Sequence, residues 1–203
     1  MTITLHLDDL PDDITFTGSV AIDTETQGLN PLRDRLCLVQ LSSGDGSAHL
    51  VQIRKDSLPG PNLKQLCSDS GIKKIFHFAR FDVAVLSHYL GIDITNIYCT
   101  KIASKLVRTY TDRHGLKDLC SELLSVELSK QQQSSDWAAE TLSASQQKYA
   151  ASDVLYLHDL KSKLDAMLER ENRAELAQAC FDFLPTRADL DLKGWDELDI
   201  FAH

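Results

Sequence analysis

Val20-Ala21-Ile22-Asp23-Thr24-Glu25 decides how this chain reads: an apolar, strand-like run that ends in two carboxylates two residues apart. Side chains alternate across a strand, so Asp23 and Glu25 point to the same face. Two like charges there repel and lose hydration, a pairing that a cation or a shared proton relieves. The alternative is a strand running out into a polar turn, with both acids in water. Acids elsewhere, standing where apolar residues belong, decide between the two.

Outward from this stretch, residues 36–41 and 48–53 read as strands joined by turn formers, and with residues 19–23 they make a three-stranded meander. A further strand covers 72–77, after a helix-like segment over 62–68. From residue 78 the period turns helical: Phe78, Asp82, Val85, Leu86, Tyr89 and Leu90 recur at helical spacing, with Gly91 as C-cap. Further helices are expected over 102–107 and 116–124. Ser143 and Gln146 form a capping-box pattern ahead of a periodic run to about Arg170, and a last helix covers 172–181. Strands first and helices later predict an α/β domain, a mixed central sheet flanked by helices, over residues 1–181. Residues 182–203 form an acidic tail. Its Leu190, Leu192, Trp195, Leu198, Ile200 and Phe201 predict docking on its own body or on another subunit.

With 203 residues, 43% of them hydrophobic, the chain suits one domain with a sizeable core. No apolar run approaches the ~18 residues of a membrane span, and the early acids Asp8, Asp9, Asp12 and Asp13 do not suit a signal peptide. A cytoplasmic protein without a membrane partner is expected. Five scattered cysteines without a CxxC pair read as reduced, mostly buried thiols. The net charge of −9 argues against a grip on long nucleic acid, although the tail alone contributes −4 of it. The body carries a basic stretch, Lys101, Lys105, Arg108, Arg113 and Lys117. Its helical spacing suits a solvated face, with Lys101, Lys105 and Arg108 as candidates to meet the 5′ end of a substrate.

Two more acids break apolar stripes. Asp82 lies between Phe78 and Val85/Leu86, where a helix-start acid favoured by the dipole is the alternative. Asp153 shares a face with Tyr149, Leu157, Leu160 and Leu164, deep in its expected helix. Asp23, Glu25, Asp82 and Asp153 thus offer four carboxylates with no matching His or Cys set. Oxygen-only ligation favours Mg²⁺ or Mn²⁺, and four acids can hold two divalent ions for phosphodiester displacement. Tyr149, one turn before Asp153, is placed to orient the attacking water.

These residues resemble the DEDDy 3′-to-5′ exonucleases of the ribonuclease D superfamily. The three motifs are Asp23-Thr24-Glu25, then His77-Phe78-Ala79-Arg80-Phe81-Asp82, then Tyr149-Ala150-Ala151-Ser152-Asp153, in the family's order. His114-Gly115-Leu116-Lys117-Asp118-Leu119, and Lys130 followed by Ser134-Ser135-Asp136-Trp137, look specifically like ribonuclease D. The resemblance covers about residues 15–170. It implies a ribonuclease H-like fold, a two-metal mechanism and release of nucleoside 5′-monophosphates. Phe78 stands where many relatives have Asn, which weakens a DNA-proofreading reading.

The resemblance adds Thr24, Leu29 and His77 as substrate-binding residues. Leu29 matches a wedge leucine that separates terminal bases, or is a loop residue packed on the core; His77 by itself reads as a strand-end core histidine. With few residues after Arg170, the chain looks most like the short nanoRNase C subfamily. That likeness implies short single-stranded RNA, including dinucleotides, as substrate and a homo-oligomer, a ring-shaped octamer, as assembly. The rivals are an exonuclease acting mainly on DNA or longer RNA, and a non-catalytic nucleic-acid-binding module, which the intact set of four acids and a Tyr disfavours.

Overall fold

The computed structural model describes residues 1–129, 131–132 and 134–202. The opening stretch becomes β2 (Ser19–Thr26), an inner strand of a six-stranded mixed sheet. The others are β1 (Thr2–Leu7), β3 (Leu36–Ser42), β4 (Ser47–Gln52), β5 (Lys73–Phe76) and β6 (Ile97–Cys99). Their order across the sheet is β1-β4-β3-β2-β5-β6. The expected meander is present, since β2 pairs antiparallel with β3 and β3 with β4. Parallel pairs extend it: β1 on β4, and β5 and β6 beyond β2. Every residue of β3 is buried, as an inner strand covered on both faces requires.

Helices α1 (Pro61–Ser68), α2 (Ala79–Leu90), α3 (Thr100–Val107) and α4 (Leu116–Leu124) match the expected helical segments within a few residues. Gly91 closes α2 in the left-handed conformation, φ 65°, which costs glycine nothing sterically. Ser143 caps α5 (Ala144–Leu155) with both hydrogen bonds of the capping box. The long helix expected to run to Arg170 is two helices, with Tyr156 separating α5 from α6 (Leu157–Arg170). No Gly or Pro marks that break, and the apolar stripe continues through it.

Helix α7 (Ala174–Leu192) runs past the expected end at residue 181 and takes in half of the tail. Ala177, Phe181, Leu184 and Ala188 keep one buried stripe going, packed mainly on α2, and Pro185 is carried inside the helix. The tail packs on α2 through α7 and is tied on to the Asp196 carbonyl by Arg80, while the side chains of Trp195, Leu198, Ile200 and Phe201 stay exposed. Two short strands, β1 and β6, lie outside the sequence reading; β1 is an edge strand and β6 has three residues. Cys37, Cys67, Cys99 and Cys120 are buried free thiols, and Cys180 is half-buried. Among the described residues no helix is long and apolar enough to cross a membrane.

Candidate active site

The alternation of β2 places Asp23 and Glu25 on one face at the strand's end, opposite Gln40 and Leu38 of β3. On that face, Asp153 of α5 brings its carboxylate to them: the three residues each offer an oxygen within 4.8 Å of the others. Asp82 is outside this 4.8 Å set, yet near enough for its charge to act on all three. It is buried in the first turn of α2 and accepts a 2.7 Å hydrogen bond from the Thr24 hydroxyl. Thr24 points to the opposite side of the strand from its two neighbours, which is why it reaches α2. The helix-start placement of Asp82 is thus real, and so is its proximity to the acidic group.

Burial and mutual repulsion act on all four. Desolvation, then Asp82, Asp153 and Glu25 in turn, push the Asp23 carboxyl well above its ordinary range. Desolvation and the charges of Asp153 and Asp82 raise Glu25 to about 9. Burial raises Asp82 to about 7 against the opposing hydrogen bond from Thr24, and burial followed by Asp82 raises Asp153 to about 7. Asp153 also lies in the last turn of α5, where the helix dipole is unfavourable to an anion. Among the described residues, no Lys or Arg forms an ion pair with any of the four. Clustered carboxylates without a basic partner suit a divalent cation, and oxygen-only donors suit Mg²⁺ or Mn²⁺. The trio could hold such an ion.

Asp23, Glu25 and Asp153 open onto a cleft of about 690 Å³, and Asp82 is buried behind them. Tyr149 lines it, its ring 6.0 Å from that of Trp137, and burial followed by the charge of Asp153 pushes its hydroxyl pKa upward. The stretches Gly115-Leu116-Lys117 and Ser134-Ser135 with Trp137 line the same cleft, so both ribonuclease D-like segments meet at the acids. Lys130 lies outside the described residues. Leu29 is 86% exposed at the rim, so it is not packed on the core.

His77 follows β5 and borders the cleft. Its Nδ1 lies 2.9 Å from Thr100 Oγ1, which also lies 3.1 Å from the Phe76 carbonyl, and its Nε2 is buried. Burial, then Lys101, lowers His77 to about 3 and keeps it neutral. His77 thus lies at the cleft with much of its ring buried.

The basic stretch divides. Lys101 and Lys117 line the cleft, Lys101 with its ammonium 4.4 Å from the Phe78 ring centroid. Arg108 is neither a solvated residue nor a substrate contact: it is fully buried, paired with Glu122 and donating to Ser104 and the Arg113 carbonyl. Sequence reasoning also missed Gln40, fully buried in β3, whose amide donates to Asp23 at 3.2 Å. Its signal was a polar residue inside the apolar run Leu38-Val39-Gln40-Leu41.

Residues 5–169 match the profile of a family described as 3′-5′ exonuclease. The fold superposes on NrnC of Brucella melitensis with bound Mg²⁺ at TM-score 0.95 and 60% identity, covering all of both chains. Against the same protein bound to pGG the values are 0.96 and 61%, covering 100% of this chain and 99% of the other. A ribonuclease D of Gluconacetobacter diazotrophicus is 32% identical over 156 residues, 77% of this chain; the chain spans 39% of that relative's length. With a family profile matched over most of its length and a ribonuclease D among its relatives, the chain belongs to the 3′-5′ exonuclease family, on its ribonuclease D-like side.

Proposed function

We propose that this enzyme removes nucleotides from the 3′ end of short single-stranded RNA, dinucleotides included, and releases nucleoside 5′-monophosphates. The observation that carries this is the trio Asp23, Glu25 and Asp153 at the floor of a bounded cleft. The likeness to a protein bound to pGG supports the substrate size. Asp23, Glu25, Asp82 and Asp153 would hold two Mg²⁺ or Mn²⁺ ions, and Glu25 would also meet the terminal nucleotide. When bound, such ions activate water and stabilise the leaving oxygen. Gln40 fixes the orientation of Asp23, and Thr24 that of Asp82. Tyr149, its hydroxyl protonated at neutral pH, orients the attacking water by hydrogen bonding. Leu29, exposed where it lines the cleft, separates the two bases, and neutral His77, which borders the cleft, packs beside the bound nucleotide.

The reading extends to self-association, which the exposed apolar set of Trp195, Leu198, Ile200 and Phe201 supports, with a ring-shaped octamer as the expected form and the cytoplasm as its site of action. A mass measurement in solution tests the assembly; a monomer at micromolar concentration would refute it. The activity is tested with labelled RNA of graded length in Mn²⁺. Turnover of the dinucleotide should exceed that of longer RNA at equal concentration, and Asp153→Ala should abolish both. Faster hydrolysis of matched DNA at every length would favour the rival substrate.

A further inference from the structure

Beside the catalytic cleft lies a second cavity of about 630 Å³, and Leu29, Phe78 and Phe81 wall both. The two spaces are nearly equal in size, and each is large enough for a nucleoside. Leu29 is 86% exposed and Phe78 48%, so the partition between them is a ridge of unburied apolar side chains. Such side chains offer stacking surfaces to bases on either side. The Lys101 ammonium lies 4.4 Å from the Phe78 ring centroid.

The far end of the second cavity is closed by the C-terminal segment, through Asp191, Gly194 and Asp196. This wall is held in place by a charge cluster. Arg80, two residues before Asp82, donates to both carboxylate oxygens of Asp191 at 2.6 and 2.8 Å and to the Asp196 carbonyl at 2.6 Å. Arg187 donates to the same carboxylate at 2.6 Å and to the Trp195 carbonyl at 2.6 Å. The Asp191 side chain is only 9% exposed, and two-pronged Arg–carboxylate geometry is the strong, orienting kind. The loop after α7 is thereby fixed against the start of α2.

We infer that the Arg80–Asp191–Arg187 cluster sets substrate length: it holds the C-terminal segment as an end wall behind a pocket for the second nucleotide. The inference rests on the short-RNA reading above. The terminal base occupies the catalytic side of Leu29 and the penultimate base the side of Phe78 and Phe81. A third nucleotide would meet the backbone of the segment at Gly194, which Arg80 and Arg187 hold in place through Asp191. Arg80, Asp191 and Arg187 are positioning residues, since they act through the segment they hold.

The test compares full-length wild type with Asp191→Asn and Arg80→Gln on a labelled diribonucleotide and on a heptaribonucleotide with the same 3′ end. In wild type, the dinucleotide should have the higher kcat/KM; no such preference would overturn the short-RNA reading and this inference with it. In variants that keep a cooperative melting transition, the heptamer-to-dinucleotide ratio of kcat/KM should rise at least threefold. A smaller change, with wild-type preference intact, overturns the end wall alone. A general loss of packing would lower both rates together and leave the ratio where it was. Hydrogen exchange of wild type provides a reading that needs no variant: with dinucleotide and Ca²⁺, the amides of residues 194–196 should exchange more slowly. Unchanged exchange there would also overturn the proposal.

Discussion

Asp153 meets the burden of its site from every direction: burial, Asp82 close by, and the carboxyl end of its own helix. For each of the four acids the folded pKa lies above the unfolded value of about 4. The folded chain therefore keeps protons that the unfolded chain has released. Stability from these groups is complete below about pH 4 and is lost as pH rises through about 7 for Asp82 and Asp153 and about 9 for Glu25. Without divalent ions, Asp153→Asn should melt above wild type at pH 8, by about 3 °C or more, and the two should converge toward pH 4. Added Mn²⁺ should raise the wild-type melting temperature more at pH 8 than at pH 6, because ligation needs the deprotonated form; Asp153→Asn should lose most of that gain. Tyr149 is different in kind. Tyr149→Phe should lower kcat by about 10²- to 10⁴-fold while the Mn²⁺-dependent melting shift persists, which a parallel activity and calorimetry series would check.

Among the elements, α7 most changes the account of the fold. Phe181 is 3% exposed, with its ring 4.6 Å from that of Tyr98, so Phe181→Ala should cost about 3–5 kcal/mol in urea unfolding. A peripheral tail helix would give a far smaller loss. The site itself was legible because its acids violate local patterns: Asp23 and Glu25 end an apolar strand, and Asp153 interrupts an apolar stripe beside Tyr149. Residues whose meaning depends on a distant partner were not. Gln40 acquires its role only when β3 lies beside β2, and Arg108 is buried only because Glu122, fourteen positions on, comes to meet it from α4. The break at Tyr156 leaves no mark because Leu157, Leu160 and Leu164 are buried on either reading. The last helix, expected to end at residue 181, runs on through Pro185 because the buried stripe through Leu184 and Ala188 outweighs the lost backbone hydrogen bond.

For the molecule as a whole, the net charge of −9 and a cleft lined, among the described residues, by no Lys or Arg besides Lys101 and Lys117 predict weak electrostatic capture of nucleic acid. A dinucleotide releases few counterions, so raising NaCl from about 50 to 200 mM should lower its kcat/KM by less than about tenfold, at fixed divalent ion. A steep salt dependence would indicate a longer binding track. The buried cysteines add a consequence of another sort. Burial pushes the thiols of Cys37, Cys67 and Cys120 to about 11, 12 and 12, and raises that of Cys99, so none is a ready nucleophile in the native fold. Spread over β3, α1, α4 and β6, they make the chain its own tracer of opening: a thiol reagent meets Cys180 at first, and each further label dates the exposure of a different part of the core.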